Sequence, residues 1–530
     1  MTGEPMSNFS TTQTVRKQVI PTRGGIVAAQ HRKAAEVGAA ILEAGGDAID
    51  AAVATSFAVG VVEPWMSGPA GGGCMMIWRE AEQRAHTLFF GMRSPKGLDP
   101  ADYPLDGSGR SSDLFPWPSV KEDRNVQGAT AIAVPGTVAG MELAHRLFGR
   151  VDWKELLAPA GKLAREGLLI DWYASLLIAS STRALSKDPD AARLFLEDGQ
   201  WPTIAGWTAL SEKRLDQSRL AETLEWLARE GARDFYEGDI ARAMVSDVRA
   251  KGGSLGLDDL AAYKAELREA IAVPYRGGLV HASKGLTAGP NLAECLAMME
   301  NAFEPGSTPD GKSYSAMVEA LGATYRNRLK FMGDQDAPHA PSCTTHFSVV
   351  DRHGNMVAVT QTLLSIFGSR VVSPATGLLM NNGIMWFDPE PGKPNSLAPD
   401  KGCLMNVCPT IGEKNGRRFA IGASGGRKIL PATLNLASFM MDFGMDLEEA
   451  FHQPRVDNSG GTTTVADEDL APEILTALQE IQPAVTTKRT VYPYAFACPA
   501  GVMRENGMNT GCTEIMSPWG DAVAEKDVMN

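Results

Sequence analysis

An α/β protein with layered sheets covered by helices is the fold class the sequence predicts, on three observations. Short apolar runs alternate with helix-period segments from Gly24 onward. Residues 140–270 carry helical periodicity almost throughout, a helical half-domain set into the α/β pattern. A strand pair with a tight turn then stands in mid-chain, over residues 345–363. Amphipathic strands and helices in this mixture bury their apolar faces by stacking in layers.

Taken in order, residues 1–23 are polar and predict a disordered or loosely attached arm. Ile26 to Ala29 is a short apolar strand, and His31 to Ala44 a helix stopped by Gly45-Gly46. Asp47 is placed to cap the next helix, Ala48 to Val61, whose alanines suit close packing on a sheet. A glycine-rich turn, Gly68 to Gly73, leads into a strand from Cys74 to Trp78. It lacks the Lys-Ser/Thr of a phosphate loop, which argues against nucleotide binding. Helices follow at 138–148, 153–166, 218–230, 239–250 and 258–265. The chain returns to strand around Pro274 to Gly278, with further helices at 291–302 and 314–332. Residues 333–343 are polar and Pro-rich and predict an exposed linker. Strands Thr345–Asp351 and Met356–Leu363 come next, joined at His353-Gly354-Asn355. Strand-type runs recur at 377–380 and 419–422, and a helix at 431–443. Residues 388–402 read as a surface loop or as a lid.

Composition narrows the function classes. A net charge of −13 with no dense Lys/Arg run argues against nucleic-acid partners. The N-terminal stretch has no apolar core of a secretory signal, and the longest apolar run, Ala51 to Val62 between Asp50 and Glu63, is too short to span a bilayer. The expectation is a cytoplasmic protein without membrane contact. Seven cysteines without a CxxC pair predict reduced thiols, with no metal site and no cofactor.

The candidate chemistry lies at Ser342-Cys343-Thr344-Thr345-His346, where the linker meets a strand. A threonine hydroxyl is a weak nucleophile, but a backbone cut just before it frees an α-amine on the same residue, which can take the hydroxyl proton. A cleavage site between Cys343 and Thr344 would therefore create its own catalyst. Thr362 lies on the facing strand, with its hydroxyl toward the Thr344 end, and Gly425 and Gly426 form a turn able to aim N–H groups at a developing oxyanion. His346 shares the Thr344 face and reads as a structural hydrogen-bonding histidine, since the amine already supplies the base. Asp334 and Asp336 read as solvated linker residues.

The run Thr344 to Asp351, with Gly354-Asn355, Ala358-Val359-Thr360, Gly377 to Asn382, Cys408 to Ile411 and Gly422 to Gly426, resembles the γ-glutamyltransferase family of N-terminal nucleophile hydrolases. Ala44 to Ala52 and Gly71-Gly72-Gly73 extend the resemblance through nearly all of the chain after Gly24. It implies an αββα sandwich and self-cleavage into residues 24–343 and 344–530. It also implies Thr344 as nucleophile, Thr362 as its support, Gly425 and Gly426 as oxyanion hole, and a heterodimer of the two fragments. A dimer of such heterodimers is left open.

Departures from the family pattern concern the substrate. The polar groups that hold a γ-glutamyl α-carboxylate and α-amine fall here on Gly91, Leu364, Gly383, Trp386 and Met405-Asn406. Without an aspartate and an asparagine, an α-ammonium loses its acceptors. Arg93 and Arg427 remain as cations for a small carboxylate, with Asn382, Trp386 and Asn406 as the other substrate-binding candidates. Gly91 to Pro95 and Asn382 to Pro389 resemble the oxamate amidohydrolase branch, which implies hydrolysis of oxamate to oxalate and ammonia in purine-ring catabolism. Two rivals stand beside it: a γ-glutamyl hydrolase or transferase acting on glutathione-like substrates, and an uncleaved, non-catalytic binding protein. A cut before Cys343 would instead make cysteine the nucleophile.

Overall fold

The computed structural model describes residues 15–110, 117–206, 212–332, 343–490, 492 and 494–526. Thirteen strands build two antiparallel sheets. In chain order they are β1 Ile26–Ala29, β2 Gly72–Arg79, β3 Arg84–Phe90, β4 Glu266–Glu269, β5 Ile271–Tyr275, β6 Gly278–Ala282, β7 Cys343–Val350, β8 Met356–Leu364, β9 Thr410–Lys414, β10 Arg417–Ser424, β11 Cys498–Glu505, β12 Met508–Thr513 and β13 Asp521–Ala524. One sheet runs β4-β3-β2-β8-β7-β1-β13 and the other β5-β6-β9-β10-β11-β12.

Strand alternation assigns the layers. Val27, Ala29, Met75, Ile77, Phe347, Val349, Val357 and Val359 point to one side of the first sheet. There they meet α1 (Arg32–Glu43) and α2 (Ala48–Val62), which supply Ile41, Leu42, Val53 and Phe57. Their neighbours Ile26, Ala28, Met76, Trp78, Val350, Met356 and Ala358 point the other way, onto Ile411, Ala420, Ala500 and Val502 of the second sheet. The outer face of that sheet (Val280, Phe419, Ile421, Ala423) packs on α3 (Gly289–Met299), α4 (Gly311–Met332) and α5 (Ile429–Asp442). The result is the αββα sandwich that the family resemblance implies. Every residue of α2 is buried, as a helix apolar on all sides must be, and a capping box of Asp47 and Asp50 closes its start.

The central strands of the first sheet explain how a cut chain stays together. β7 and β8 sit between β2 and β1, so a cut at Thr344 leaves each fragment contributing strands to both sheets. No helix among the described residues is long and apolar enough to cross a membrane.

Several expectations need correction. Residues 15–22 are attached rather than loose: Arg16 pairs with Glu448 at 2.9 Å, and Thr22 and Asn509 exchange backbone hydrogen bonds. Residues 1–14 and the linker 333–342, with Asp334 and Asp336, lie outside the described residues, and Cys343 belongs to β7 rather than to the linker. The run 377–380 is not a strand. Gly377 has φ +70°, and only Leu379 bridges, to Val372, so the segment turns back on itself. Helices at Trp172–Leu185 and Pro189–Phe195 went unassigned from the sequence, where Ser175, Ser180, Ser181 and Thr182 interrupt the apolar stripe. The loop at 388–402 is tied down by Asn395 to the Trp386 carbonyl (2.6 Å) and Lys393 to Asp388 (2.8 Å), bonds that a moving lid would have to break.

Candidate functional site

Alternation along β7 separates the two threonines. Thr345 shares the helix-facing side with Phe347 and Val349, whereas Thr344 and His346 face the second sheet. The register of β7 against β8 shifts between Cys343 and Thr345, so the candidate cleavage point lies on an irregularity of the ladder. On the opposite strand, Thr362 and Thr360 face the same inter-sheet space. Thr344 Oγ1 lies 3.4 Å from Thr362 Oγ1. Thr362 Oγ1 accepts a hydrogen bond from Leu364 N–H at 2.8 Å, which fixes the hydroxyl beside Thr344. Leu364 takes φ +88°, a left-handed conformation unusual for a bulky residue, held at the end of β8. Thr362→Val removes the hydroxyl at nearly constant shape. It is expected to lower kcat about 10- to 100-fold and, because it leaves the buried Leu364 N–H without its acceptor, to cost about 1–3 kcal/mol of stability, read by steady-state kinetics and a melting curve.

His346 is not a base. Its ring is wholly buried, held by Thr360 Oγ1 at 2.8 Å and Ser348 Oγ at 3.0 Å, and burial depresses its pKa to about 3. The ring lies against Gly422 of β10, where a Cβ would come 2.4 Å from the imidazole. Ala420, two residues earlier, packs in the inter-sheet cluster with Val350. Following both strands the other way therefore takes β10 past Gly422 to Ser424 and the Gly425-Gly426 turn, at the Thr344 end of the sandwich. Gly425 has φ +135° and Gly426 φ +59°, and a Cβ on Gly425 would meet the Ala497 backbone at 2.9 Å. A short 3-10 turn, Gly426–Lys428, and α5 follow, so the turn presents the N–H end of a helix toward this region. Ser424 anchors it through Gln30 Oε1 at 2.9 Å.

The proposed substrate residues separate into different settings. Leu364, Trp386 and Met405 belong to one buried apolar cluster with Met92, Met385 and Phe387. Gly91 and Gly383 sit against it: a Cβ on Gly91 would come 3.0 Å from Met405, and one on Gly383 3.0 Å from Met92. Asn382 is spent on structure, donating to the Val126 carbonyl and Ser365 Oγ at 2.8 Å each. Arg93 is half-exposed and ion-paired with Asp400 at 2.6 Å. Arg427 donates to the Ser459 carbonyl, with its guanidinium over the Tyr325 ring. Asn406 is buried; its Oδ1 accepts from Arg328 Nη2 at 3.0 Å, and its Nδ2 has no hydrogen-bond partner among the described residues.

Two residues escaped the sequence reading. Arg328, on α4, is buried and, among the described residues, donates only to neutral acceptors: the Thr287 carbonyl, Asn291 Oδ1, the Met405 carbonyl and Asn406 Oδ1. Burial lowers its pKa to about 10. Its place in a helix of mixed polarity gave no signal. Glu63 ends α2, 3% exposed, and accepts from Thr345 Oγ1 at 3.0 Å. Burial raises its pKa from 4.5 to about 7, and the Thr345 bond opposes the rise. The signal was present, since a carboxylate on the end of an all-apolar helix has no solvated face to occupy. A carboxyl with a raised folded pKa contributes stability that is full below its unfolded value and lost as pH rises through the folded one. Glu63→Gln is therefore expected to gain stability over the parent between pH 5 and 8, by roughly 3 kcal/mol at most, read as a growing difference in melting temperature.

Comparison with known proteins agrees with this geometry. The gamma-glutamyltranspeptidase family model matches residues 34–343 and 337–518. The "Acylase ACY 1 proenzyme" of Pseudomonas sp. (strain V22) is 33% identical over 501 residues, covering 87% of each chain. The "Glutathione hydrolase proenzyme" of Escherichia coli (strain K12) is 30% identical over 489 residues, covering 82% of this chain and 81% of its own. In fold, a cephalosporin acylase from Bacillus halodurans superposes with a TM-score of 0.84 at 24% identity, over 99% of this chain and 100% of its own. The chain belongs to the gamma-glutamyltranspeptidase family, amide hydrolases whose nucleophile is an N-terminal threonine.

Proposed function

We propose that this chain matures by cutting itself before Thr344 and then hydrolyses a small amide whose acyl part carries a carboxylate but no α-ammonium, with oxamate as the named candidate. The observation that supports the reading is the buried apolar cluster of Leu364, Trp386, Met405 and Met92, in which Leu364 and Trp386 occupy the positions where the family resemblance puts the asparagine and the aspartate that accept from an ammonium. An ammonium moved from water into such a lining without acceptors loses several kcal/mol. The carboxylate is assigned to the neighbourhood of Asn406. Its Nδ2 is unpartnered, and Arg328 beside it is a buried cation with no ion pair among the described residues. Arg93, neutralised by Asp400, is the weaker anchor.

In the precursor, Thr344 Oγ attacks the Cys343 carbonyl carbon, the C–N bond to Thr344 breaks, and the hydroxyl proton passes to the departing nitrogen. Water then hydrolyses the ester and leaves Thr344 as a new N-terminus. In the mature protein that amine, with a reference pKa of about 7.7–8.0, takes the Oγ proton as Oγ attacks the substrate amide. The Gly425-Gly426 turn receives the oxyanion. The proton goes on to the leaving nitrogen, ammonia departs, and water cleaves the acyl ester with the amine again as base.

A second reading, a γ-glutamyl hydrolase, draws support from the glutathione hydrolase relatives. Ammonia released from oxamate, set against p-nitroaniline released from γ-glutamyl-p-nitroanilide, separates the two. Turnover of oxamate at least about 100-fold above that of the γ-glutamyl substrate is the expected result, since two lost ammonium contacts are worth about that factor or more. Faster turnover of the γ-glutamyl substrate would establish the second reading.

A further inference from the structure

The buried carboxyl of Glu63 has no place in the chemistry above, yet it stands one residue from the bond to be cut. Its Oε2 accepts from Thr345 Oγ1 at 3.0 Å, and β7 changes register between Cys343 and Thr345. The tether thus holds the strand on the C-terminal side of the irregularity, with Thr345 turned to α2 and Thr344 turned to Thr362. Gln361 of β8 is engaged with Ser56 and Ser67, and Ser56 belongs to α2 itself. Cys498 of β11 is a buried thiol whose pKa burial raises, with Glu514 and then Glu63 adding to the rise and Arg455 and Lys17 opposing it. Among the described residues no cation is paired with Glu63.

We propose that Glu63 is a positioning residue for both stages of the Thr344 chemistry: through Thr345 it sets the geometry of self-cleavage, and through its charge it tunes the amine freed at Thr344. The inference rests on Thr344 as the nucleophile. The covalent path from Thr344 N to Thr345 Oγ1 is six bonds, so the carboxyl lies within about 10 Å of the amine. A negative charge at that distance in a dry corner favours the ammonium form and raises the amine pKa by about one unit. Glu63 itself titrates near 7, so the ionised carboxyl is present in the range where the amine must lose its proton.

Timed conversion of cell-free precursor on denaturing gels from pH 5.5 to 8.5, followed by kcat/KM profiles of the matured forms, tests this. Glu63→Ala and Thr345→Val are expected to slow self-cleavage at least about 10-fold at every pH, with Thr345→Ser restoring the rate. Glu63→Gln keeps the shape and an acceptor for Thr345, so it is expected to mature, and its acidic limb should move down by about one pH unit. An acidic limb at the parental position in Glu63→Gln overturns the charge role. Parental rates of conversion in Glu63→Ala and Thr345→Val overturn the tether. Conversion of a Thr344→Ala precursor would overturn the underlying nucleophile assignment instead, so the two failures are distinguishable.

Discussion

Thr344→Ala is expected to give a single full-length chain of 56.6 kDa without amidase activity, because one hydroxyl serves both stages. In the precursor it is the attacking atom, and without it no ester forms and no amine is freed. In the mature enzyme it carries the acyl group. The substitution deletes a hydroxyl and a methyl from a residue 3% exposed, next to Thr362. The fold tolerates this loss, since β7 keeps its ladder to β1 and β8. Activity should fall by a factor of about 10⁴ or more, as when a covalent nucleophile is removed elsewhere, and the melting temperature should change little. Denaturing electrophoresis after prolonged incubation, alongside the parent, reads the first effect, and an ammonia assay reads the second.

Gly422→Ala is expected to have a large effect for a single added methyl. The new Cβ would lie 2.4 Å from His346 Cε1 and 2.6 Å from its Nδ1, inside van der Waals contact with a ring fixed at both nitrogens. Rotating the imidazole away breaks its bonds to Thr360 and Ser348 in a site without water access; moving β10 away instead displaces Ser424, Gly425 and Gly426. Overpacking of this kind costs typically 1–3 kcal/mol, and a broken buried hydrogen bond adds about 1–3 more. A melting temperature several degrees below the parent, with activity reduced further than the remaining folded fraction explains, is the expected pair of readings. His346→Asn, which shortens the ring in the Gly422→Ala background, should recover part of the stability. An unchanged melting temperature in Gly422→Ala would mean that the two sheets are not pressed together at this point.

The sequence made legible those features set by neighbours in the chain. Thr345 to Val350 and Met356 to Leu363 alternate as strands around a turn with Gly354 at φ +96°, and the hairpin formed there. Asp47 announced a helix cap, and the structure shows a full capping box. What escaped was set by partners far away in sequence. Glu63, taken as one charged flank of an apolar run, is buried because β7 crosses the end of α2 and offers it Thr345. Arg93 looked like a free cation until Asp400 arrived from a distant loop. Arg328 had no local mark, since its environment comes from residues near 287 and 405. The need for glycine at 422 depends on a histidine in the other sheet. The departures at Leu364, Trp386 and Met405 could be read singly, whereas their convergence into one buried cluster could not.

The central claim is that the peptide bond between Cys343 and Thr344 is the one that breaks. N-terminal sequencing of the smaller fragment, with its intact mass, tests it most directly. The account predicts a fragment beginning Thr-Thr-His-Phe-Ser. A fragment beginning at Cys343, or at any other residue, or a chain that stays whole through prolonged incubation, would contradict it.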